Sequence, residues 1–317
     1  MIDILFIGGL KGLKNRLDNN LYKFLMYVIN NSKFSIKWLE KIDQIYNFLD
    51  NYEETQKKLI VYQICCNHNL EKYSNKIINV LDVFDIMCKC RYKCDGNGKC
   101  QIRKYYKKLN FDYFIFKYYT YLTKNILNES KIFYFGHYVD NNIYYDRNLE
   151  KKYDVLLYGN VIEQSYPLRN KLLTIFRNNK RKLNIKIIEF SRRKRYTKDL
   201  PHNEKLSKLI NQSWITISTK AVSNFLLQRY YEVAMSNSVI CGDYPDLEKD
   251  RVIEENMIKL NINMTEDIIL DKIESYLKDK DKLRKMSKVC HDHFHKNYTY
   301  KNGLIKFDSI FDKIYKN

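Results

Sequence analysis

Glycine and proline are scarce in this chain, which has 9 Gly and 3 Pro in 317 residues. Because flexible linkers are rich in glycine and stiff spacers are rich in proline, we expect any junction between domains to be short and ordered. No apolar run approaches the roughly 18 residues of a membrane-spanning helix. The first short apolar run is preceded by an acidic residue, Asp3, and not by a basic leader. We therefore predict that the chain has no secretory signal and is cytoplasmic.

The eight cysteines are not evenly spread along the chain. Four of them fall within the segment CKCRYKCDGNGKC, at Cys88, Cys90, Cys94 and Cys100. This clustering does not fit the spread framework of a disulfide-stabilised fold. Four thiolates can hold a tetrahedral zinc ion, but the spacing C-x-C-x3-C-x5-C lacks the paired C-x2-C knuckles of a strong zinc signal. Two interpretations of this insert, residues 88–100, stay open: a structural zinc site, or free thiols with at most an adventitious disulfide.

The charge is strongly unbalanced, with 56 Lys and Arg against 37 Asp and Glu and a formal net charge of +19. A basic surface attracts nucleotide phosphates, anionic glycans or an acidic membrane, with which peripheral contact is an option. The heavy use of Lys, Asn, Ile and Tyr is nevertheless typical of an AT-rich genome, such as that of a large DNA virus, a protist or an AT-rich bacterium. We therefore do not expect nucleic acid to be the main partner.

Short apolar strands alternate with amphipathic helices along most of the chain, a pattern typical of parallel sheets covered by helices on both faces. The first series runs from IDILFIGG to KIFYFGHYV, and after the polar stretch DNNIYYDRNLEKK the pattern restarts at YDVLLYGN and closes with two helices. We predict an α/β protein of two Rossmann-like, doubly wound domains, residues 1–145 and 146–317, with the last helix a candidate to pack on the first domain. Ligands of such sheets bind outside the carboxyl ends of the strands, so a cleft between the domains is the expected site.

Two charged residues lie one turn apart in the segment NFLLQRYYEVAMSNSVICGDYPDL, where a predicted helix precedes a small-residue turn and a strand. Arg229 and Glu232, at positions i and i+3, share one helix face. A carboxylate there can accept both hydroxyls of a ribose, and a guanidinium can bind a diphosphate. The alternative is an ordinary intrahelical ion pair on the surface, and the residues alone do not decide between the two.

The same segment resembles the donor-binding segment of GT-B glycosyltransferases of the group 1 kind, especially the spore-maturation-protein-like branch. KKYDVLLYGN with YPLRNKL is similar to the first strand and phosphate loop of that family's second domain. FGHYVD is similar to the end of its first domain, and KVCHDHFHKNYTYKNGLIKF to its closing helix. The resemblance covers about residues 131 to 317 and lies in the combination of these segments.

The resemblance implies a site for a nucleotide-diphosphate-sugar co-substrate in the second domain, and transfer without a catalytic metal. Glu232 would bind the ribose or sugar hydroxyls, and Arg229 would support it or bind the diphosphate. Gly159 and Asn160 would let the backbone approach the phosphates, and Arg169 would add positive charge to them.

One position departs from the pattern of that family. Asn224 stands eight residues before Glu232, where many group 1 enzymes have a second glutamate. An amide can bond sugar hydroxyls but supplies no charge, so retaining and inverting transfer both stay open.

The resemblance assigns acceptor binding, and often the acid or base group, to the first domain. Gly8 and Gly9 directly follow the first strand and fit either a close backbone approach to a ligand or a plain tight turn. Asp82 and Asp85, in LDVFDIM, are candidates for a catalytic base, with capping of the following turn as the alternative. The histidines of CHDHFH fit a solvated helix face better than a metal site.

The sequence thus predicts a glycosyltransferase that moves a sugar from a nucleotide-diphosphate sugar to a glycan, glycoprotein or lipid-linked acceptor. Two alternatives stay open. One is a basic nucleic-acid-binding protein with a zinc-stapled cysteine loop, and the other is an inactive GT-B protein that only binds glycans.

Overall fold

A computed structural model of the chain describes residues 2–8, 20–53, 58–64, 68–83, 109–117, 129–189, 203–222, 224–246, 248 and 250–317. The chain forms two compact units, the first made of Met1–Gly136 together with Tyr300–Asn317, and the second of His137–Thr299. The sequence had suggested a junction near residue 145. In the structure the chain enters the second unit at His137 and returns to the first unit at Tyr300.

Helices and strands alternate in both units. In chain order the described elements are β1 (Ile4–Ile7), α1 (Asn20–Asn31), β2 (Ile36–Leu39), α2 (Ile42–Asp50), β3 (Leu59–Ile64), β4 (Ile77–Val83), β5 (Tyr113–Phe116), β6 (Ile132–Tyr134), β7 (Tyr153–Gly159), α3 (Pro167–Asn178), β8 (Ile185–Glu189), α4 (Asn203–Asn211), β9 (Ser213–Ile217), α5 (Gln228–Met235), β10 (Val239–Gly242), α6 (Val252–Glu255), β11 (Ile258–Lys259), α7 (Glu266–Leu277), α8 (Lys280–Asn297) and α9 (Tyr300–Lys316). Short 3-10 turns lie at Glu71–Tyr73 and Glu129–Lys131.

Each unit is built on one parallel sheet. The first unit has six described strands in the order β2-β1-β3-β4-β5-β6, and the second has five in the order β11-β10-β9-β7-β8. Every described strand pair is parallel, as the alternating sequence pattern predicted. The strand order changes direction between β1 and β3 in the first sheet and between β7 and β9 in the second, and such switch points are where doubly wound sheets bind ligands.

Helices cover both faces of the first sheet. Leu5 and Ile7 face a core that includes Ile45 and Leu49 of α2. The residue between them, Phe6, faces the other way, because successive side chains of a strand alternate between faces.

An aromatic cluster fills that second face and includes the last helix. The ring centroid of Phe307, in α9, lies 5.9 Å from that of Phe6 and 4.3 Å from that of Phe311. Tyr62 of β3 packs against both α9 rings. Polar contacts add to this packing, since the Ser32 hydroxyl donates to Asp308 Oδ1 at 2.6 Å. The helix at residues 300–316 is therefore part of the core of the first unit.

The second sheet separates two cores in the same alternating way. Val155 and Leu157 of β7 pack with α3 and α7. Leu156 and Tyr158 of the same strand pack with α4, α5 and α8 on the opposite face. All four side chains are buried, so β7 is covered on both sides as a central parallel strand should be.

Three long helices close the chain, where the sequence pattern predicted two. Thr265 caps α7 by accepting from Ile268 N, and Asp279 caps α8 by accepting from Lys282 N, which separates the two helices. The segments that enter and leave the second unit pair with each other through a parallel bridge between Val139 and Thr299. Within the described residues, no helix has the length and apolar character needed to cross a membrane.

Candidate donor-binding site

Gly159 ends β7 at the switch point of the second sheet. Because it has no side chain, it leaves room for the guanidinium of Arg229. Its φ of +103° is a conformation that L side chains rarely adopt. A Cβ at this position would overlap Nη2 of Arg229 and lie 2.9 Å from its Cζ. Glycine is therefore required here both by the backbone and by the guanidinium that occupies the space beside it.

Arg229 comes from the first turn of α5 and is fixed over the end of β7. Its Nη1 donates to the carbonyl oxygen of Tyr158 at 2.8 Å, and its Cζ lies 4.7 Å from the centroid of the Tyr158 ring. The guanidinium thus sits at the carboxyl edge of the sheet, where the sequence had suggested a group for a diphosphate. The helix begins at Gln228, because the preceding residue, Leu227, has an extended backbone.

Glu232 lies one turn further along α5 and is 9% exposed. Gln228 Nε2 donates to its Oε1 at 2.9 Å, and the Tyr158 hydroxyl donates to its Oε2 at a longer 3.4 Å. Arg229 and Glu232 therefore lie in one region, as their spacing predicted, and each of them contacts Tyr158. This geometry does not match a solvated intrahelical pair.

Burial raises the pKa of the Glu232 carboxyl to about 7. The positive charge of Arg229 and the hydrogen bonds from Tyr158, Gln228 and Tyr144 oppose this rise but do not cancel it. A buried carboxyl whose pKa is shifted in this way is a candidate for a functional group.

Arg169, in α3, is completely buried and joins two loops of the switch point. Its Nη1 donates to the carbonyl oxygen of Asn160 at 2.7 Å, and its Nη2 to that of Thr219 at 3.1 Å, while its Nε has no partner. Burial, reinforced by repulsion from Arg229, lowers the pKa of this guanidinium to about 9. The loops after β7 and β9 are thereby held around a buried positive charge. The Asn160 side chain itself accepts from Ile162 N at 3.0 Å and shapes the turn.

The loops after β9 and β10 meet around Asp246. Asn224 Nδ2 donates to Asp246 Oδ2 at 3.2 Å, and Lys220 Nζ lies 3.6 Å from Asp246 Oδ1. Lys220 N also donates to Asp243 Oδ1 at 2.9 Å, so a second acidic residue of the β10 loop is tied to the β9 loop. Asn224 has a φ of +62°, a conformation that asparagine tolerates better than most residues, and its Oδ1 is buried without a partner.

Asp82, a candidate base in the first unit, is also placed by the structure. It is the sixth residue of β4, it is 4% exposed, and its Oδ2 accepts from the Tyr62 hydroxyl at 2.6 Å. Burial raises its pKa, although the charge of Lys117 opposes the rise. Asp82 thus lies on the sheet face that α9 covers. This environment differs from the turn cap that we gave as the alternative.

Of the glycines predicted after the first strand, Gly8 has a φ of +137° and its carbonyl accepts from the Trp38 indole at 3.3 Å. Gly9, Asp85 and the cysteines at 88, 90, 94 and 100 lie outside the described residues. Among the residues that are described, no group of three or more His, Cys, Asp or Glu could hold a metal ion.

The histidines of the CHDHFH segment lie on α8 and have local partners. His293 Nε2 lies 2.6 Å from Asp250 Oδ2, which also accepts from the Tyr298 hydroxyl at 2.5 Å. The rings of His291 and His295 are 4.4 Å apart. This helix is therefore joined to the loop after β10 through Asp250.

The sequence did not point to Tyr158 or Gln228, which hold the two charged residues in place. Gln228 stands four residues before Glu232 on the same helix face, a spacing at which side chains meet. Tyr158 is the last side chain before the glycine that ends β7. The contact between Gln228 and Glu232 follows from the spacing within one helix, whereas the role of Tyr158 can be recognised only once the end of β7 is known to adjoin that helix.

Solved structures of the same fold are glycosyltransferases. The chain aligns with sucrose-phosphate synthase from Thermosynechococcus elongatus at a TM-score of 0.66 and 7% identity, over 100% of both chains. It aligns with HepE of Anabaena in complex with UDP at 0.63 and 8% identity, over 98% of this chain and 100% of that one. A DNA-modifying β-glucosyltransferase, studied with and without uridine diphosphoglucose, aligns at 0.57 and 16% identity, over 98% of this chain and 99% of that one.

Sequence comparison adds nothing to this, since no protein-family model and no curated protein match the chain. The similarity of structure extends over nearly the whole chain, and both parallel sheets are present. The protein therefore has the GT-B fold, as the sequence predicted. Membership of the spore-maturation-protein-like branch stays a prediction.

Proposed function

We propose that this protein is a glycosyltransferase that uses a nucleotide-diphosphate sugar, with a UDP-sugar as the first choice of donor. The observation that carries the proposal is the group formed by Gly159, Arg229 and Glu232 at the switch point of the second sheet. The choice of UDP follows from the neighbours of the same fold that were studied with UDP or uridine diphosphoglucose.

The chemistry of the donor fits these side chains. The Glu232 carboxylate would accept hydrogen bonds from the ribose hydroxyls in place of Gln228 and Tyr158. Arg229 and the buried Arg169 would stabilise the negative charge that develops on the departing nucleoside diphosphate. Positive charges that are fixed before the reaction need no reorganisation when that charge forms, which is why such groups favour bond cleavage.

For the acceptor we retain the three classes that the resemblance suggests: a glycan, a glycoprotein or a lipid-linked glycan. We assign acceptor binding to the first unit. We also propose that transfer needs no catalytic metal. Inversion or retention at the sugar carbon is left to the product analysis below.

The test of the donor site is a thermal-shift screen of UDP, GDP, CDP and ADP and their common sugars. A ligand that binds only the native state raises the melting temperature by mass action. We expect selective stabilisation by one base in the wild type and loss of that response in Glu232→Ala. The matched control is Glu255→Ala, since Glu255 is an exposed glutamate of the same unit.

Two results would count against the proposal. If no nucleotide stabilises the wild type while single-stranded DNA does, and does so with a steep dependence on salt, the protein is a polyanion-binding protein. If nucleotides bind but no sugar is released or transferred to any acceptor, it is a donor-binding protein without activity. The stereochemical course of the transfer is measured with a donor that binds in this screen, by NMR of the anomeric proton during turnover.

A further inference from the structure

We propose that a groove on the flank of the first unit binds an uncharged oligosaccharide, as a part of the acceptor other than the sugar that reacts. The acceptor role rests on the proposed function, and the inference names a glycan as the part of the acceptor that is recognised. Binding itself concerns the first unit alone and needs no donor.

The groove lies between the strand β2 and the helix α2. Since β2 is the first strand in the order of the sheet, no described strand covers its outer side. The part of α2 that lines the groove, from Gln44 to Asn51, is about 10 Å long at the helical rise of about 1.5 Å per residue. The cavity volume of about 550 Å³ is within the usual range of ligand sites. The groove is therefore elongated and large enough for a short chain of sugars.

Aromatic and apolar side chains form the floor of this groove. The ring centroids of Phe48 and Tyr52 are 5.9 Å apart, and both rings pack with Leu39 against the core beneath α2. Rings that are held by the core keep their position before a ligand binds. The face of an aromatic ring is electron-rich, so it attracts the weakly positive C–H groups on the face of a sugar ring.

Three carboxamides line the wall of the groove, at Gln44, Asn47 and Asn51. Their spacing of three and four residues places them on one face of α2. Asn51 Nδ2 donates to the carbonyl oxygen of Asn47 at 2.7 Å and to its Oδ1 at 3.1 Å, which fixes the Asn51 side chain. A carboxamide both donates and accepts hydrogen bonds, as a sugar hydroxyl does, so a row of carboxamides suits a polyhydroxyl ligand.

The charge of the groove argues against an anionic ligand. The chain has a net charge of +19, but among the residues that line the groove Lys37 is the cation and Glu53 the anion, so their charges cancel. A polyanion binds largely through the counterions that it releases on meeting an excess of positive charge, and this groove offers no such excess. Lys37 Nζ lies 4.7 Å from the centroid of the Phe48 ring, at the floor, where it can turn to donate to a sugar oxygen.

The experiment measures dissociation constants of neutral oligosaccharides by calorimetry, in the absence of nucleotide. The probes are oligomers of glucose, mannose, galactose and N-acetylglucosamine, with a heparin fragment as the anionic comparison. The proteins are the wild type, Gln44→Ala, Asn51→Ala and the matched control Asn31→Ala. Asn31 Nδ2 donates to the Tyr27 carbonyl oxygen at 2.7 Å, as Asn51 Nδ2 does to that of Asn47, but Asn31 does not line the groove.

We expect one of the neutral series to bind the wild type, with an affinity that rises with the length of the oligomer. Gln44→Ala and Asn51→Ala should each lose about threefold to tenfold in affinity, the effect of one hydrogen bond, and Asn31→Ala less than about twofold. In a transfer assay with that oligomer as acceptor, Asn51→Ala should raise KM and leave kcat unchanged, because the groove holds the acceptor equally before and during the reaction.

Three results would overturn the inference: no neutral oligomer binds, Asn51→Ala and Asn31→Ala have the same effect, or the heparin fragment binds more tightly than every neutral oligomer. Because the binding assay contains no nucleotide, these results are independent of the donor site. A wild type that binds the oligomer and responds to Asn51→Ala, but binds no nucleotide, would confirm the groove and overturn the proposed transferase function together with the acceptor role.

Discussion

Replacing Glu232 by glutamine should stabilise the second unit at neutral and alkaline pH while removing donor binding. Burial raises the pKa of this carboxyl from an ordinary value of 4.5 to about 7. Each unit of pKa corresponds to about 1.36 kcal/mol, so holding the charged form inside the folded unit costs on the order of 3 kcal/mol. A glutamine has almost the same shape and carries no charge, so this cost disappears.

The sign of the pH dependence follows from the direction of the shift. A group whose folded-state pKa is raised stabilises the fold fully when the pH is below its ordinary value, and that contribution is lost as the pH rises through the folded-state value. The difference between Glu232→Gln and wild type should therefore be close to zero near about pH 4.5. It should grow to about 3 kcal/mol near about pH 8, which corresponds to a melting temperature higher by roughly 6–12 °C for a domain of this size.

The measurement is urea unfolding followed by tryptophan fluorescence at both pH values. The chain has 2 Trp, of which Trp38 lies in the first unit and Trp214 in the second. In a Trp38→Phe background the signal reports the second unit alone. Glu255→Gln, at an exposed position, serves as the control and should change stability by less than about 0.5 kcal/mol at either pH. If Glu232→Gln is no more stable than wild type near about pH 8, the carboxylate is not a buried charge and our account of the site is wrong.

Three more predictions concern the candidate donor site and the last helix. The affinity for UDP-glucose should rise about tenfold between about pH 6 and about pH 8, because ribose hydroxyls donate to the ionised Glu232, and calorimetry should show no such rise in Glu232→Gln. Gly159→Ala should destabilise the second unit by about 1–3 kcal/mol and abolish the nucleotide thermal shift, since its Cβ displaces Arg229; an unchanged melting temperature would contradict this. Phe307→Ala should destabilise the first unit by about 3–5 kcal/mol in urea unfolding that uses Trp38 as the reporter, with the second unit unaffected; equal loss in both units would count against the assignment of α9.

The alternation of apolar strands with amphipathic helices was enough to predict the fold class, because the pattern of apolar residues shows which side chains are buried. The residues of β7 from Val155 to Tyr158 are apolar and buried, as expected of a strand covered on both faces. Segment boundaries were less predictable. The sequence pattern predicts two closing helices, whereas the structure has three, because the Asp279 cap begins a new helix directly after α7. The short strand β11, of two residues, has no sequence pattern of its own.

The candidate site was predictable where its members are close in sequence, and not where the fold brings them together. Arg229 and Glu232 share a helix, so their spacing alone placed them on one face. Arg169 was expected to face the phosphates. It is in fact buried and donates to the carbonyls of two loops, so any effect on a phosphate would act through the field of its charge. The partnership of Asn224 with Asp246 joins two loops and needed the sheet order.

The return of the chain to its first unit at Tyr300 has a consequence for biosynthesis. A ribosome adds about 5–20 residues per second, so roughly 10–30 s separate the synthesis of Gly136 from that of the last helix. During this interval the nascent first unit lacks Phe307 and Phe311, and the aromatic face that they cover has no partner. The second unit, whose sequence is continuous, can fold first. The first unit can therefore complete its core only after the last helix of the chain has been synthesised.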